Sequence, residues 1–295
     1  MIIGERSAKI IDFHVHFYAG RESRALKKLF GQRTDEFGRK FNGRDLSING
    51  LNEAMRSAGI GCAVVLPVVT PSKFPNVTTN RVANKLTWLH KKLNHNEGLI
   101  GFGTLHPDME FEAIDHAVRR IRNYDWPGVK FHSPQQRIDP VSEKIFEILK
   151  LLEDNNLAVL MDTFYDQTYF EHFKIPRECA LDPKKLQLIA REHPALTIIA
   201  AHMAGFNWWG IDNIMKEVKP SDNLYLDTSS SHKMTAADLR RFINRFGTDH
   251  ILFGSDHPYH DMALEIQRIQ NLGLSDSELE AVMYRNAGTL LNGGS

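Results

Sequence analysis

The sequence predicts an α/β protein in which eight parallel strands alternate with helices and close into a single (β/α)8 barrel, the TIM-barrel architecture. Short apolar runs rich in β-branched residues alternate with longer amphipathic stretches, which is typical of a parallel sheet. Eight such runs occur within 295 residues, a number and a length that suit one closed barrel. The predicted strands are Lys9–His14, Cys62–Val69, Ile100–Leu105, Gly128–Phe131, Leu157–Asp162, Leu196–Ala201, Leu224–Asp227 and Ile251–Gly254.

Amphipathic stretches that can form helices lie between these runs. In two of them an aspartate precedes a proline, a pattern that starts helices, so we expect helices at Pro140–Asn155 and Pro183–Glu192. One or two closing helices are predicted in Ser275–Leu291. No repeat or linker divides the chain, and residues 1–295 are predicted to form one domain. The other predicted helices are Leu46–Ser57, Thr79–Asn94, Met109–Arg122, Asn213–Lys219, Thr235–Phe246 and Met262–Asn271.

Two insertions interrupt the alternation of strands and helices, at about residues 18–43 and 164–181. The first follows the first strand and is rich in Arg, Lys and Gly. The second follows the fifth strand and carries five aromatic residues. Because both leave the carboxyl ends of strands, we expect them to shape the end of the barrel where barrel enzymes build their active sites.

The composition is that of an ordinary globular protein. Hydrophobic residues make up 42% and charged residues 24% of the chain, and 36 basic residues balance 36 acidic ones. This balance argues against nucleic acid and anionic membranes as partners. Cys62 and Cys179 form no Cys-x-x-Cys motif, and the first nine residues lack the apolar core of a signal peptide. We therefore expect a cytoplasmic protein that acts on a small molecule.

The most informative motif is IDFHVH at residues 11–16, at the end of the first predicted strand. Side chains two residues apart in a strand point to the same face, so His14 and His16 can converge on one ion at the mouth of a barrel. Imidazole is the commonest protein ligand for zinc and similar metals. The alternative is a pair of polar residues at a strand end, which the position on the first of eight strands makes the weaker interpretation.

A second motif, FGSDHP at residues 253–258, ends the last predicted strand on a carboxylate. A bare carboxylate would be costly to bury there unless a metal or a cation met it. Asp256 could bind the ion, accept a proton from water, or do both. It could instead cap the following helix, with Pro258 in the first turn.

A histidine also follows the sixth predicted strand. His202 is a candidate to polarise a substrate carbonyl or to shuttle a proton. The alternative is a structural histidine that bonds to a loop carbonyl.

Together these motifs resemble the amidohydrolase superfamily, in particular its amidohydrolase-related branch. That branch mixes hydrolases with nonoxidative decarboxylases of the aminocarboxymuconate-semialdehyde and resorcylate kind. The resemblance implies a distorted barrel with a zinc-like ion, in which His14, His16 and Asp256 are metal ligands and His202 is a catalytic group. It covers nearly the whole chain and rests on DFHVH from residue 12, GVKFH from 128, AH from 201 with Gly205, LYLDTS from 224 and FGSDHP from 253.

The sequence departs from the family pattern at the end of the fifth strand. The branch usually carries a metal-binding histidine there, whereas this chain has Asp162. A carboxylate can also bind the ion, and we expect Asp162 to be a fourth ligand. Two histidines with two carboxylates form a harder set that suits manganese, iron or zinc. The alternatives are a partner of a ligand histidine and a hydrogen-bonded strand-end residue.

Lys130 lies in the fourth predicted strand, where elsewhere in the superfamily a carboxylated lysine bridges two metals. Lys130 could do the same, bind an anionic group of the substrate, or pair with Asp162. Strand alternation places His132 on the same face as Lys130. Further residues after strand ends that could bind substrate or support the ligands are Asp227, His232, Tyr165, Trp208 and His257.

The function expected from these residues is hydrolysis of a small carbonyl substrate, an amide, ester or lactone that carries a carboxylate. One divalent ion, with zinc favoured over manganese or iron, would activate a water molecule, and Asp256 or His202 would take its proton. A second ion is expected only if Lys130 is carboxylated. The first alternative is nonoxidative decarboxylation of an aromatic or unsaturated carboxylic acid at the same site. The second is a metal-binding relic without activity, and a homodimer is compatible with the fold.

Overall fold

The computed structural model describes residues 10–32 and 40–292. Residue 9 of the first predicted strand, residues 33–39 of the first insertion and the start of the chain lie outside the described residues. All strand pairs within the two sheets are parallel. The first sheet has the order β1 (Ile10–Val15), β2 (Ile60–Val65), β3 (Leu99–Gly101), and the second has the order β4 (Gly103–Thr104), β5 (Gly128–Phe131), β6 (Ala158–Met161), β7 (Ile198–Ala200), β8 (Leu224–Asp227), β9 (Ile251–Leu252).

The two sheets are joined at both of their edges, by the continuous chain between β3 and β4 on one side and by a backbone hydrogen bond on the other. β3 and β4 are two parts of one strand that is interrupted at Phe102, whose backbone N–H donates to the Val65 carbonyl oxygen at 3.0 Å. On the other side, the Phe13 N–H donates to the Phe253 carbonyl oxygen at 2.8 Å, which links β1 to the chain just after β9. The strands therefore follow one another in the order of a (β/α)8 barrel, and the predicted fold class is confirmed.

Helices follow the strands in chain order, and several helix starts agree with the sequence. The helix Pro183–Glu192 begins where predicted, and the Asp182 side chain before it accepts from the Lys185 N–H at 2.9 Å. The helix Glu143–Asp154 begins later than predicted, because Pro140 lies in a turn in which the Asp139 carbonyl accepts from the Ser142 N–H at 3.1 Å. The helices are α1 (Gly20–Phe30), α2 (Ile48–Ala58), α3 (Pro75–Leu93), α4 (Phe111–Asn123), α5 (Ser133–Gln136), α6 (Glu143–Asp154), α7 (Gln167–Phe173), α8 (Pro183–Glu192), α9 (Ala201–Trp209), α10 (Ile211–Glu217), α11 (Ala236–Phe246), α12 (Met262–Gln270), α13 (Asp276–Glu280) and α14 (Asn286–Leu291).

Alternate residues along a strand belong to different apolar clusters. Val159 and Met161 of β6 pack in the larger cluster, together with many helix residues. Leu160, between them, packs in a smaller cluster with Phe102 and Ile199. This period of two is what a strand with one face toward the helices and one toward the barrel interior produces.

Neither insertion is without regular structure, since the first contains α1 and the second contains α7. Cys62 and Cys179 are both free thiols and both buried. Within residues 10–32 and 40–292, no helix has both the length and the apolar character needed to cross a bilayer.

Candidate active site

Three side chains at the carboxyl ends of β1 and β9 bring potential metal ligands together. Asp256 Oδ1 lies 3.7 Å from His14 Nε2 and 3.5 Å from His16 Nε2. All three residues are buried, and their ligand atoms lie within 4.8 Å of one another. These separations are longer than ordinary hydrogen bonds and suit ligands that share one ion.

Hydrogen bonds on Nδ1 orient both imidazoles. His14 Nδ1 lies 2.9 Å from Asp227 Oδ2, and His16 Nδ1 lies 2.7 Å from the Leu66 carbonyl oxygen. A carboxylate and a carbonyl only accept hydrogen bonds, so each Nδ1 donates and each Nε2 keeps a lone pair for a metal. His14 Nε2 is buried and has no hydrogen-bond partner. An orphaned buried nitrogen beside a carboxylate fits a divalent ion, which His14, His16 and Asp256 would hold.

Asp256 has a backbone and a side chain that are both fixed. Its φ is 61°, in the left-handed region that non-glycine residues seldom adopt. Its N–H donates to the His14 carbonyl oxygen at 2.9 Å, and Ser230 Oγ donates to its Oδ2 at 2.6 Å. Burial raises the pKa of Asp256, but the imidazoles of His16, His14 and His202 outweigh burial and hold the pKa below its ordinary value. Asp256 is therefore present as a carboxylate.

Asp227, at the end of β8, accepts several hydrogen bonds next to the ligand cluster. Its Oδ1 accepts from the backbone N–H of His202 and of Ser229, both at 3.0 Å, and its Oδ2 faces His14 Nδ1. Although burial alone raises it, the pKa of Asp227 is lowered by the His14 and His202 imidazoles and by the Ser229 hydroxyl. His14, His202 and Asp227 also lie within 4.8 Å of one another, but donors already occupy the carboxylate.

Asp162, at the end of β6, pairs with Lys130 of β5. Lys130 Nζ donates to Asp162 Oδ2 at 2.8 Å, and both side chains are buried. Asp162 Oδ1 lies 3.5 Å from His202 Nε2, and Oδ2 lies 3.8 Å from His132 Nε2. Burial opposes ionisation, yet His132 and Lys130 hold the pKa of Asp162 well below its ordinary value. Asp162 is not in the group of three ligand atoms, and its role as a fourth ligand stays a prediction.

A left-handed turn after β7 presents His202. The φ angles of His202–Gly205 are 59°, 50°, 56° and 83°, each positive. Left-handed backbone costs about 1–2 kcal/mol per non-glycine residue, and such strain concentrates at functional sites. Two buried bonds hold the turn, one from Thr163 Oγ1 to the Ala201 carbonyl oxygen at 2.7 Å and one from the His202 N–H to Asp227.

A cavity of about 490 Å³ opens onto these residues. His16, Asp162, His202 and Asp256 all line it. Its volume lies in the range of sites for small organic molecules, about 300–1,000 Å³. The lining includes six aromatic side chains, Tyr18, Phe30, Phe164, Tyr169, Trp208 and Tyr259.

Several side chains predicted to border the site do line the cavity. His132, Trp208 and His232 are lining residues. The Trp208 ring stands perpendicular to the His202 ring, with centroids 5.3 Å apart. Burial lowers the pKa of His132 to about 4.

Two predicted site residues lie elsewhere. In the described part of the chain neither Tyr165 nor His257 is a lining residue of the cavity. Tyr165 stacks on Trp209 behind the wall, with centroids 4.7 Å apart. His257 is buried, its N–H donates to Ser255 Oγ at 3.1 Å, and burial lowers its pKa to about 4. A position just after a predicted strand indicates that a residue lies near the mouth of the barrel. It does not indicate which way the side chain of that loop residue points.

Sequence reasoning missed two supporting residues. Ser230 binds Asp256, and Asp12 Oδ1 accepts from the N–H groups of Ser255 and His14 at 2.9 and 3.1 Å. Asp12 therefore ties β1 to the loop after β9, and burial raises its pKa to about 7. A charged residue inside an apolar strand was the available signal for Asp12, and three consecutive serines after a strand were the signal for Ser230.

The fold and this cluster of histidines and carboxylates are those of a metal-dependent barrel enzyme. The family model described as Amidohydrolase matches residues 11–293, so the chain belongs to the amidohydrolase family and the predicted resemblance is confirmed. No curated protein sequence matches the chain.

Solved structures of similar fold include two decarboxylases and a candidate hydrolase. A dihydroxybenzoic acid decarboxylase from Polaromonas sp. JS666, with manganese and the inhibitor 2-nitroresorcinol, is 17% identical, with a TM-score of 0.74 and 97% of each chain covered. A 5-carboxyvanillate decarboxylase from Novosphingobium aromaticivorans DSM 12444, with manganese and 3-methoxy-4-hydroxy-5-nitrobenzoic acid, is 16% identical, with a TM-score of 0.74 and 98% of each chain covered. A candidate 2-pyrone-4,6-dicarboxylic acid hydrolase from Pseudomonas putida is 14% identical, with a TM-score of 0.67, and 98% of this chain and 100% of that one are covered. At these identities the likeness shows the shared fold.

Proposed function

We propose that this enzyme is a nonoxidative decarboxylase of small aromatic or unsaturated carboxylic acids. The observation that carries the proposal is the placement of His202, which faces the same aromatic-lined cavity as His16 and Asp256. A decarboxylase needs these two parts, a place to hold an acid and a group that delivers a proton to carbon.

The cavity walls suit a flat substrate. Phe164 and Trp208 meet edge to face with centroids 5.0 Å apart, and Phe164 meets Tyr169 in the same way at 5.2 Å. Aromatic side chains of this kind bind planar rings by offset stacking and edge contacts. When bound by His14, His16 and Asp256, a divalent ion would orient and polarise the oxygen groups of the substrate.

His202 supplies the proton. Burial lowers the pKa of His202, but the carboxylates of Asp162, Asp256 and Asp227 outweigh burial and raise it. The imidazolium donates a proton to the ring carbon that bears the carboxylate. The bond from that carbon to the carboxylate then breaks, its electron pair returns to the ring, and carbon dioxide leaves. The neutral imidazole regains a proton from solvent, so one proton is consumed for each carbon dioxide released.

The structural relatives support this function over hydrolysis, because the two manganese-containing relatives are decarboxylases of ring acids. Hydrolysis is the second candidate, and it is favoured by the similarity to the candidate 2-pyrone-4,6-dicarboxylic acid hydrolase. In that reaction Asp256, a carboxylate on the cavity wall, would act as the base that takes a proton from water.

We propose that the site holds one divalent ion. The zinc expected from the sequence has no specific support, whereas manganese is present in two relatives of the same fold. Lys130 Nζ donates to the buried carboxylate of Asp162 at 2.8 Å. Carboxylation of Lys130 would remove this donor, so Lys130 is proposed to stay paired with Asp162 and not to bridge two ions.

Isotope labelling of the products separates the two reactions. The manganese-loaded enzyme is given panels of aromatic and unsaturated acids, lactones, esters and amides, once in deuterium oxide and once in ¹⁸O-labelled water. Decarboxylation predicts carbon dioxide release with deuterium on the carbon that held the carboxylate. Labelled oxygen in a product acid, with no carbon dioxide from any substrate, would overturn the proposal in favour of hydrolysis.

A further inference from the structure

Ser229 lies between His202 and His14, one of the three candidate metal ligands. It follows β8, is fully buried, and its hydroxyl contacts three side chains. Ser229 Oγ lies 2.8 Å from His202 Nδ1 and 3.1 Å from His14 Nδ1, and it donates a short hydrogen bond to Asp227 Oδ1. None of these contacts reaches the cavity, where Ser229 is not a lining residue among the described ones.

The number of hydrogens on this hydroxyl decides the direction of each bond. A serine hydroxyl has one hydrogen and two lone pairs. Because its hydrogen goes to the Asp227 carboxylate, Ser229 Oγ can only accept from His202. The Ser229 carbonyl oxygen, which also only accepts, lies 3.2 Å from the same His202 Nδ1. Both contacts therefore require a hydrogen on His202 Nδ1.

The other ring nitrogen of His202, Nε2, is the one near Asp162 at the cavity. His202 Nε2 lies 3.5 Å from Asp162 Oδ1, and both residues line the cavity. With Nδ1 committed to Ser229, Nε2 is the nitrogen that can gain and lose a proton without breaking the support of the ring. The histidine thus has a buried, fixed nitrogen and an exchanging nitrogen at the cavity.

We propose that Ser229 is a positioning residue that fixes His202 in the tautomer with its hydrogen on Nδ1, so that the exchangeable proton is carried on Nε2 toward the substrate. This inference rests on the proposed role of His202 as proton donor. It names the residue that keeps the exchangeable proton on Nε2, the nitrogen at the cavity. Asp227 has a different part, because it binds His14 Nδ1 as well and so also orients a proposed metal ligand.

The tautomer can be measured without any turnover. Zinc-loaded protein with ¹⁵N-labelled histidine is recorded by NMR at a pH where the His202 ring is neutral, and His202→Asn identifies the signals. The expected result is a protonated Nδ1 and an unprotonated Nε2. A hydrogen found on Nε2 in the neutral ring would overturn the proposal.

A pair of serine variants tests the hydroxyl itself. Ser229→Ala removes the shorter of two acceptors, so the Nδ1–H form should lose population and kcat for carbon dioxide release should fall about tenfold, with KM nearly unchanged. The control is Ser231→Ala, a buried serine of the same loop whose hydroxyl donates to the Thr228 carbonyl oxygen. It should leave both readouts at the parent values.

The outcomes separate this inference from the proposed function. Equal tautomer populations in Ser229→Ala and the parent protein would contradict the positioning role, even if the enzyme decarboxylates ring acids. A fixed Nδ1–H tautomer in a protein that releases no carbon dioxide from any acid would retain the role of Ser229 and reject the reaction. Affinity for manganese should stay within about threefold in Ser229→Ala and fall by about 10–100-fold in Asp227→Asn.

Discussion

At the scale of single residues, the hydrogen bond at Nδ1 of each site imidazole determines whether Nε2 can bind a metal or carry a proton. His14 and His16 have acceptors at Nδ1, which leaves Nε2 of each for a metal. The sequence was sufficient to predict that these two residues meet Asp256, because same-face spacing and strand order place all three at one end of a barrel. It left the pairing of Lys130 with Asp162 as one of three alternatives, since adjacency of two strands does not show which partner a lysine side chain contacts.

Loss of one ligand imidazole should empty the metal site. The parent protein, purified without chelators, is expected to carry about one divalent ion per chain, and His14→Ala is expected to carry almost none. Elemental analysis of both proteins measures this, with His95→Ala as the control because His95 is exposed and outside the site. A full ion complement in His14→Ala would show that the cluster of His14, His16 and Asp256 is not the metal site.

The Lys130–Asp162 pair should matter for stability. Asp162→Ala leaves a buried ammonium without its carboxylate, which typically lowers the free energy of unfolding by about 3–5 kcal/mol. Replacing both residues by methionine should restore most of that loss, since an apolar pair removes the uncompensated charge. Denaturant unfolding of the metal-free proteins tests this, and an Asp162→Ala protein as stable as the parent would exclude the pair as a structural contact.

At the scale of elements, loops with left-handed backbone follow the carboxyl ends of several strands and orient the site residues. His202, Ser230 and Asp256 all have positive φ, at 59°, 49° and 61°. Residues 201–209 have an apolar and aromatic sequence with little to mark a left-handed turn. Local pattern predicts helix or strand, whereas this turn is held by hydrogen bonds with Thr163, which follows β6, and with Asp227, the last residue of β8.

Gly205 should be the most sensitive glycine of that turn. Its φ is +83°, and an added Cβ would lie 2.3 Å from Trp209 Cδ1. Gly59 is a matched control in the same left-handed region, with φ 72° and ψ 19° and nothing within 4 Å of an added Cβ. Gly59→Ala should cost about 1 kcal/mol of unfolding free energy from backbone strain alone, and Gly205→Ala about 1–3 kcal/mol more from the clash. Equal losses in the two variants would mean that Trp209 moves aside freely.

At the scale of the whole molecule, strand count and order were predictable while the exact closure was not. Two predicted strands, Gly128–Phe131 and Leu224–Asp227, agree residue for residue with the structure. The interruption at Phe102 was not predicted, because periodicity records the apolar character of a strand and not its hydrogen-bond register. A homodimer and a cytoplasmic location stay predictions from the sequence.

In the proposed reaction His202 shares the cavity with His16 and Asp256 and delivers the proton without binding the metal. The most direct test is the rate of carbon dioxide release by His202→Asn protein that holds its full complement of manganese. We expect an unchanged metal content and a fall in kcat of about 10²–10⁴-fold, the range for loss of a general acid. Carbon dioxide release at the parent rate by the metal-loaded variant would exclude His202 as the proton donor.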